Sequence, residues 1–203
     1  MKALLDGYRR FRAGAWRQNA GLFDRLAREG QAPRAMVIAC ADSRQDPQLI
    51  FDAAPGELFV VRNVAALVPA YAPDAGYHGT SAALEFAIRA IRVEHVIVMG
   101  HAQCGGVQAL IDGAPEGCGD FVAPWMEIAG AARQHALAHA CSRIERLHVA
   151  EIETVRVSLA NLLTFPWIRE RLDRSLLQIH GLYFDVASGQ LSAVGQTGDV
   201  VPL

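Results

Sequence analysis

Two apolar stretches of this chain each lead into side chains that can bind a metal ion. Apolar, strand-forming residues precede Cys40, and a carboxylate and a guanidinium follow at Asp42 and Arg44. A second apolar run leads to His101, and Cys104 follows three residues later. Thiolate and imidazole groups together form a soft to borderline ligand set that suits zinc. The two stretches are therefore interpreted as two halves of one zinc site.

Three strong ligands would leave the fourth tetrahedral position open, which is typical of catalytic zinc sites and not of structural ones. Zinc in such a site brings the pKa of water to about 7. Asp42 is close enough in sequence to take the open position itself or to accept a hydrogen bond from the water. Arg44 can pair with Asp42 through two hydrogen bonds, which would keep the carboxylate ionised and away from the metal. The amides of Gly105 and Gly106, at the start of a predicted helix, would help to keep Cys104 deprotonated.

Each of these residues has a simpler interpretation when it is taken alone. A buried cysteine at a strand end is usually part of the core, and an Asp-Ser pair after a strand is often a helix cap. The combination of Cys-x-Asp-x-Arg with His-x-x-Cys, each ending a strand of the same type, favours the metal site. The remaining cysteines, Cys118 and Cys141, are assigned structural or incidental roles. The remaining histidines are assigned to the surface or the core, and only His78 is considered for a cleft.

Composition limits the class of protein further. The chain has 203 residues, of which 52% are hydrophobic and 20% charged, so a sizeable core is expected. A net charge of −2 argues against a nucleic-acid-binding surface. No apolar run is long enough to span a bilayer, and the first residues do not resemble a signal peptide, so we expect no membrane association and a cytoplasmic location.

The elements predicted between the motifs describe an α/β fold with a mainly parallel central β-sheet, helices on both faces and an antiparallel edge strand. A single domain over residues 1–203 is expected, made of an N-terminal helical arm (1–30) and an α/β core (35–203). Two helices are predicted in the arm, with a break at Gly14. A further helix is predicted to be capped by Thr80 or Ser81. The strands are predicted at 35–39, 58–62, 94–99, 176–186 and, as the edge strand, 191–194.

This arrangement explains how the two motifs could meet. Cys40 and His101 both end predicted parallel strands, and sites in parallel sheets form beyond the carboxyl ends of the strands. The arm carries many apolar and aromatic residues, which suggests that it packs on a partner chain.

The motifs Cys40–Arg44 and His101–Gly106 resemble those of the β-class carbonic anhydrases, and the similarity extends through the segment 55–65. The resemblance implies one Zn²⁺ per subunit, held by Cys40, His101 and Cys104. It implies reversible hydration of carbon dioxide to bicarbonate and a proton, by attack of a zinc-bound hydroxide. Asp42 and Arg44 would form a dyad that orients this hydroxide, with Asp42 a possible fourth zinc ligand in a closed state. A homodimer or a dimer of dimers, with the arms embracing the partner, is also implied.

Other positions match the family's substrate site. The resemblance implies that Gln31 donates a hydrogen bond to the substrate and that the Gly105 amide is a donor near the zinc. Phe59 and Val64 match apolar residues of the family's carbon dioxide pocket. Phe86 is also predicted to belong to this pocket.

Two departures from the family's patterns bear on the subgroup. Phe86 and Ala90 stand where the plant-like subgroup often has Tyr and His, which weakens a proton-shuttle role for that helix. Val37 stands where another subgroup has the Trp of an inhibitory bicarbonate site. The chain therefore resembles the plant-like subgroup, with an open zinc site at neutral to alkaline pH.

Three other functions stay open from the sequence alone. A zinc hydrolase on the same scaffold could act on a related heteroallene such as carbon disulfide, because only access to the pocket would differ. A non-catalytic zinc-binding regulatory protein would not need Asp42, Arg44 or Gln31. A redox thiol protein would use Cys40 and Cys104 without a metal.

Overall fold

The computed structural model describes residues 1–203, and its centre is a six-stranded sheet in the order β2-β1-β3-β4-β5-β6. Strands β1 to β4 run parallel, and β5 and β6 join antiparallel at one end. The strands are β1 (Ala35–Cys40), β2 (Leu58–Asn63), β3 (His95–His101), β4 (Gln178–Phe184), β5 (Leu191–Val194) and β6 (Val200–Pro202). The predicted α/β fold with a mainly parallel sheet is confirmed.

Ten α-helices accompany the sheet. They are α1 (Lys2–Ala13), α2 (Ala15–Gln18), α3 (Ala20–Glu29), α4 (Pro47–Ile50), α5 (Gly79–Glu85), α6 (Gly105–Asp112), α7 (Val122–Met126), α8 (Gly130–His139), α9 (Arg143–Leu162) and α10 (Pro166–Asp173). Short 3₁₀ turns lie at Val64–Ala66 and Glu127–Ala129, and a π-helical turn, Phe86–Ile91, continues α5. None of the helices is both long and apolar enough to cross a lipid bilayer.

The core consists of apolar residues on both faces of the sheet. On one face, Val96 and Val98 of β3 belong to a cluster that includes Val155 of α9. On the other face, Val37 and Met99 are fully buried in a smaller cluster that includes Leu182 of β4. These strands are apolar on both sides because both faces are covered, as in other parallel sheets.

Helix α9 lies unusually close to β3 and β4 because two strand positions are glycine. A Cβ atom at Gly100 would lie 2.6 Å from Cγ2 of Val155, and one at Gly181 would lie 2.8 Å from Cδ1 of Leu159. Real Cβ atoms do not approach other atoms so closely, so larger residues would push α9 away from the sheet. This close packing matters because α9 also carries a residue that supports the metal centre.

Several local predictions differ from the structure. The arm has three helices and not two, because the chain breaks again at Asn19. Helix α5 begins after His78 without a side-chain cap, so the predicted cap at Thr80 or Ser81 is wrong. Strand β5 pairs on both sides, and the outermost strand is β6, which was not predicted because it has only three residues.

The arm differs from the rest of the chain in its burial. None of the residues in α1, α2 or α3 is buried. Large apolar side chains stay exposed there, including Leu4 (75%) and Tyr8 (59%). A stable arm with this much exposed apolar surface is typical of a segment that packs against another chain.

Candidate metal centre

Three side chains with metal-binding atoms converge at the carboxyl edge of the sheet. Cys40 ends β1, His101 ends β3, and Cys104 directly precedes α6. Their ligand atoms all lie within 4.8 Å of one another, and the two sulfur atoms are 3.8 Å apart. All three residues are buried. The parallel pairing of β1 with β3 brings the two strand ends to the same edge, as the sequence predicted.

His101 is oriented so that one ring nitrogen faces this cluster. Its Nδ1 lies 2.8 Å from the backbone oxygen of Ala102, to which it can donate. That bond leaves the lone pair on Nε2, which is buried and has no hydrogen-bond partner. A buried polar atom without a partner is costly unless something binds it. A cation held between Nε2 and the two sulfurs would satisfy it, so the donor set fits zinc.

The two thiols are polarised by each other and by the backbone. The contact with Cys104, together with His101 and the amides of Asp42 and Ala65, lowers the pKa of Cys40, against the opposing effect of burial. The contact with Cys40, followed by burial, raises the pKa of Cys104. The two directions are opposite because adjacent buried sulfurs resist carrying two negative charges, and a bound cation would remove that resistance.

Asp42 and Arg44 form a rigid pair beside the cluster. Arg44 donates to Asp42 Oδ1 from its backbone N and from Nε, both at 2.9 Å, and to Oδ2 from Nη2 at 2.7 Å. Nη2 also donates to the backbone oxygen of Gln103 at 3.1 Å. This hydrogen bonding holds the pKa of Asp42 well below its usual range, although burial acts in the opposite direction. Asp42 Oδ2 lies 3.9 Å from Nε2 of His101.

Gln45 joins the two strand ends and was missed by the sequence analysis. Its side chain is fully buried, and Oε1 accepts from the amide of Cys40 at 3.1 Å. Nε2 donates to the backbone oxygens of Met99 and Gly100 at 3.0 and 2.9 Å. Gln45 therefore sets the distance between the strand that ends in Cys40 and the strand that ends in His101. A polar residue next to Arg44 offered no sign of this role, because two of its three partners, Met99 and Gly100, are more than 50 residues away.

Arg62 holds the loop that carries Asp42 and Arg44. Its Nε donates to the backbone oxygen of Cys40 at 2.9 Å, and Nη2 donates to the oxygens of Asp42 and Gln45 at 2.6 and 2.9 Å. Because these three bonds go to backbone oxygens of residues 40–45, and Nη1 also donates to Asp46 Oδ2 at 3.2 Å, Arg62 anchors the loop.

Glu151 supports the other half of the cluster from behind. This buried carboxylate on α9 accepts from the amides of Gln103 and Cys104 through Oε1, at 2.7 and 3.4 Å. Its Oε2 accepts from the Tyr183 hydroxyl at 2.7 Å. Burial, followed by Glu151, raises the pKa of Tyr183, so the phenol stays protonated and remains a donor. Glu151 could not be identified from local patterns, because it appears there only as a charged residue within an apolar helical stripe.

The backbone around the cluster includes residues in unusual conformations. Ala65, Ala66 and Gln103 have positive φ angles of 64°, 54° and 57°. Non-glycine residues adopt such angles rarely, and they tend to occur at functional sites. The backbone amides of Val107 and Gly106 act to lower the pKa of the Cys104 thiol, against the larger opposite effects of Cys40 and burial. A Cβ at Gly106 would lie 2.7 Å from Cγ1 of Val64, so only glycine fits there.

The residues predicted for the substrate pocket lie in two places: Phe59 and Phe86 contact each other, and Val64 and Gly105 lie at the start of α6. The rings of Phe59 and Phe86 pack at a centroid distance of 6.0 Å, and Phe86 is 53% exposed. Val64 borders the start of α6, and its backbone oxygen accepts from Trp125 Nε1 at 2.8 Å. Gly105 is the first residue of α6, and a Cβ built there would meet no atom within 4 Å.

Gln31 lies at the opposite edge of the sheet. Its neighbours Gly30 and Ala32 line a groove with the loop 54–57, which precedes β2. Cys40 is at the far end of β1, roughly 16 Å along the strand at about 3.3 Å per residue. The fold of one chain therefore does not bring Gln31 to its own cluster. Cys118 and Cys141 are also outside the cluster, as free thiols.

Comparisons with known proteins agree on one family. The sequence model of the carbonic anhydrase family matches residues 35–191. A carbonic anhydrase from Pseudomonas aeruginosa is 38% identical over 195 residues, which cover 96% of this chain and 87% of that protein.

Solved structures show the same relationship. The structure of the β-carbonic anhydrase CcaA superposes with a TM-score of 0.93 at 34% identity and covers 100% of this chain and 92% of that one. One of two tetrameric β-carbonic anhydrases solved from the ascomycete Sordaria macrospora superposes with a TM-score of 0.79 at 26% identity, and the match covers 96% of each chain.

Proposed function

Because the chain belongs to the β-class carbonic anhydrases, enzymes that interconvert carbon dioxide and bicarbonate, we propose that Cys40, His101 and Cys104 hold one Zn²⁺ ion per subunit. The observation that carries this proposal is the convergence of three ligand atoms within 4.8 Å, with the unpartnered His101 Nε2 among them. When bound in such a site, zinc supplies an activated water at neutral pH.

Asp42 has the position and charge to orient that water. Its carboxylate is ionised and acceptor-only, and Oδ2 lies 3.9 Å from the His101 nitrogen of the cluster. Arg44 donates to both oxygens, so the carboxylate is held in place while it accepts a hydrogen bond from the water. We therefore assign Asp42 the orienting role and Arg44 the role of fixing Asp42.

This arrangement supports the open form of the site. Asp42 is engaged by three hydrogen bonds from Arg44, and each would have to break or lengthen before the carboxylate could become a fourth ligand. Together with Val37 at the position of the other subgroup's Trp, this favours the plant-like subgroup. A cytoplasmic location is proposed with it, from the composition alone.

Carbon dioxide is small and uncharged, so an apolar pocket suits it. Phe59, Val64 and Phe86 are proposed as the pocket wall, and the amide of Gly105 as a donor beside the metal. Val64 follows β2 and packs on the turn that begins α6, beside the cluster. Phe59 packs on Phe86 but pairs with Met36 near the amino end of β1, so Phe59 would line the pocket of a partner subunit and not that of its own.

The position of Gln31 supports a dimeric enzyme. Within one chain Gln31 lies at the wrong edge of the sheet, so a substrate-binding role requires Gln31 of the partner subunit. The exposed apolar arm directly precedes this residue. We propose that the arm, residues 1–30, packs on a partner while residues 35–203 form the α/β core of a single domain, and that the assembly is a homodimer or a dimer of dimers.

A carbon dioxide hydration assay with zinc quantified on the same sample tests the function. We expect activity in proportion to a zinc content that approaches one per chain. Hydration by the metal-free protein with intact thiols would overturn the zinc mechanism in favour of thiol chemistry. A zinc-loaded protein that hydrolyses carbon disulfide but does not hydrate carbon dioxide would favour the heteroallene hydrolase. A zinc-loaded protein that is inactive on both substrates would favour a regulatory role.

A further inference from the structure

A second group of side chains with metal-binding atoms lies where α8 packs on α9. His135 and His139 are one helical turn apart on α8. Residues spaced by four share one face of a helix. Their rings are stacked with centroids 4.1 Å apart and an interplanar angle of 19°. From the sequence alone both residues are expected at the surface or in the core, since no partner is evident. A spacing of four residues is, however, the one at which two histidines on a helix bind a metal.

The packing of α9 adds a carboxylate to the pair. Oε1 of Glu153 lies 3.8 Å from Nε2 of His135, and the side chains of Glu153 and His135 are 13% and 42% exposed. Arg156 donates from Nη1 to the same Oε1 and from Nε to the backbone oxygen of Gln196 at 2.9 Å. Arg156 is thus held on one side of the carboxylate, and Oε2 is left for another partner.

The tautomer of His139 also suits a metal. Its Nδ1 lies 2.9 Å from the backbone oxygen of His135 and can donate to it, which leaves the lone pair on Nε2. His95 and His180 form the other close imidazole contact in the chain, but their nitrogens are 3.2 Å apart and bonded to each other, with no carboxylate in the contact.

We propose that His135, His139 and Glu153 form a second metal site, on the protein surface, for a borderline divalent cation such as Zn²⁺ or Ni²⁺. Two imidazoles and a carboxylate are a known donor set for such ions, and the set contains no thiol, unlike the buried cluster. The three donor atoms do not yet converge in the metal-free chain, so binding requires the exposed His139 side chain to rotate and give up its bond to the His135 backbone oxygen. A bound ion would join α8 to α9, two residues from the Glu151 that supports Cys104.

Calorimetric titration of the zinc-loaded enzyme with Ni²⁺ tests this site. We expect one Ni²⁺ per chain beyond the zinc, and a rise in melting temperature with Ni²⁺ because the ion binds only the folded state. His135→Gln and His139→Gln should each abolish this binding while leaving the zinc content and hydration activity unchanged. Glu153→Gln should weaken it by at least about 10-fold, because the site loses its one anionic donor.

The control is His78→Gln, because His78 is also exposed and also pairs with a carboxylate, Asp74, at 2.6 Å, but has no second imidazole. It should retain the extra Ni²⁺. The site is overturned if wild-type protein takes up no Ni²⁺ beyond the zinc site, if uptake survives either histidine substitution on α8, or if His78→Gln loses it equally. None of these results depends on the hydration mechanism.

Discussion

The carboxyl edge of the sheet and the amino-terminal arm differ in which kind of side chain they bury. At the edge, polar side chains are buried and hydrogen-bonded: Gln45 has no exposed surface and makes three hydrogen bonds to the strand ends. In the arm, apolar side chains are exposed, and no residue of its helices is buried. The metal centre is thus positioned by contacts within one chain, whereas the apolar side chains of the arm have no contacts within the chain that bury them. This difference indicates that one chain builds the cluster and that a second chain covers the arm.

The largest effect should come from removing a residue of the cluster. Cys40→Ser or His101→Ala should lose both zinc and hydration activity, because two remaining donors do not hold the ion in a tetrahedral site. Metal analysis and stopped-flow hydration on the same sample measure this. Cys141→Ser is the matched control, since Cys141 is an exposed free thiol, and it should change neither quantity. Full zinc content in Cys40→Ser would show that the cluster has been misassigned.

A smaller but still large effect is expected at Asp42. Asp42→Ala should keep zinc, because the three ligands remain, and should lower the hydration rate by about 10²-fold through lost orientation. The same two measurements separate the two roles. Loss of zinc equal to that in Cys40→Ser would mean that Asp42 is a ligand and not the orienting group.

Gln45 tests whether buried polar contacts set the geometry of the edge. Gln45→Ala leaves the Cys40 amide and the oxygens of Met99 and Gly100 without partners, so we expect the free energy of unfolding to fall by about 1–3 kcal/mol. Denaturant unfolding measures it. Gln48→Ala, at an exposed position three residues on, should change it by less than about 0.5 kcal/mol. Equal effects at the two positions would contradict the role given to Gln45.

The arm should show the smallest effect on the metal centre and a visible effect on assembly. Tyr8→Ser combined with Phe11→Ser should shift the mass measured by light scattering toward the monomer while zinc content stays unchanged. Ile144→Ser is the control, because Ile144 is 79% exposed but lies on α9, outside the arm. If Ile144→Ser dissociates the protein and the arm variant does not, the interface lies elsewhere.

The sequence predicted the parts of the fold that depend on local patterns. Strands β1, β2 and β3 were expected within two residues of their observed bounds, because each is a continuous apolar run. The position of helix α6 was predicted from the two glycines with which it begins, and Gly113 follows its last residue. Strand β6 was not found, since three residues carry no periodic signal, and the helix cap expected at Thr80 or Ser81 was wrong because the hydroxyl of Thr80 lies instead 3.2 Å from Asn63 Nδ2.

Residue types and their spacing were enough to predict which chemistry is available: two thiols, an imidazole and an adjacent carboxylate–guanidinium pair, each at a strand end of a mainly parallel sheet. How these groups are held depends on contacts that form only in the folded chain. Gln45 reaches 54 residues along the chain to Met99, and Glu151 reaches back 48 residues to Gln103. Such contacts leave no trace in local spacing, because any buried polar residue could make them and the fold alone selects the partner. The same holds for Gln31, which matches a substrate residue by its sequence position and lies at the far edge of its own sheet.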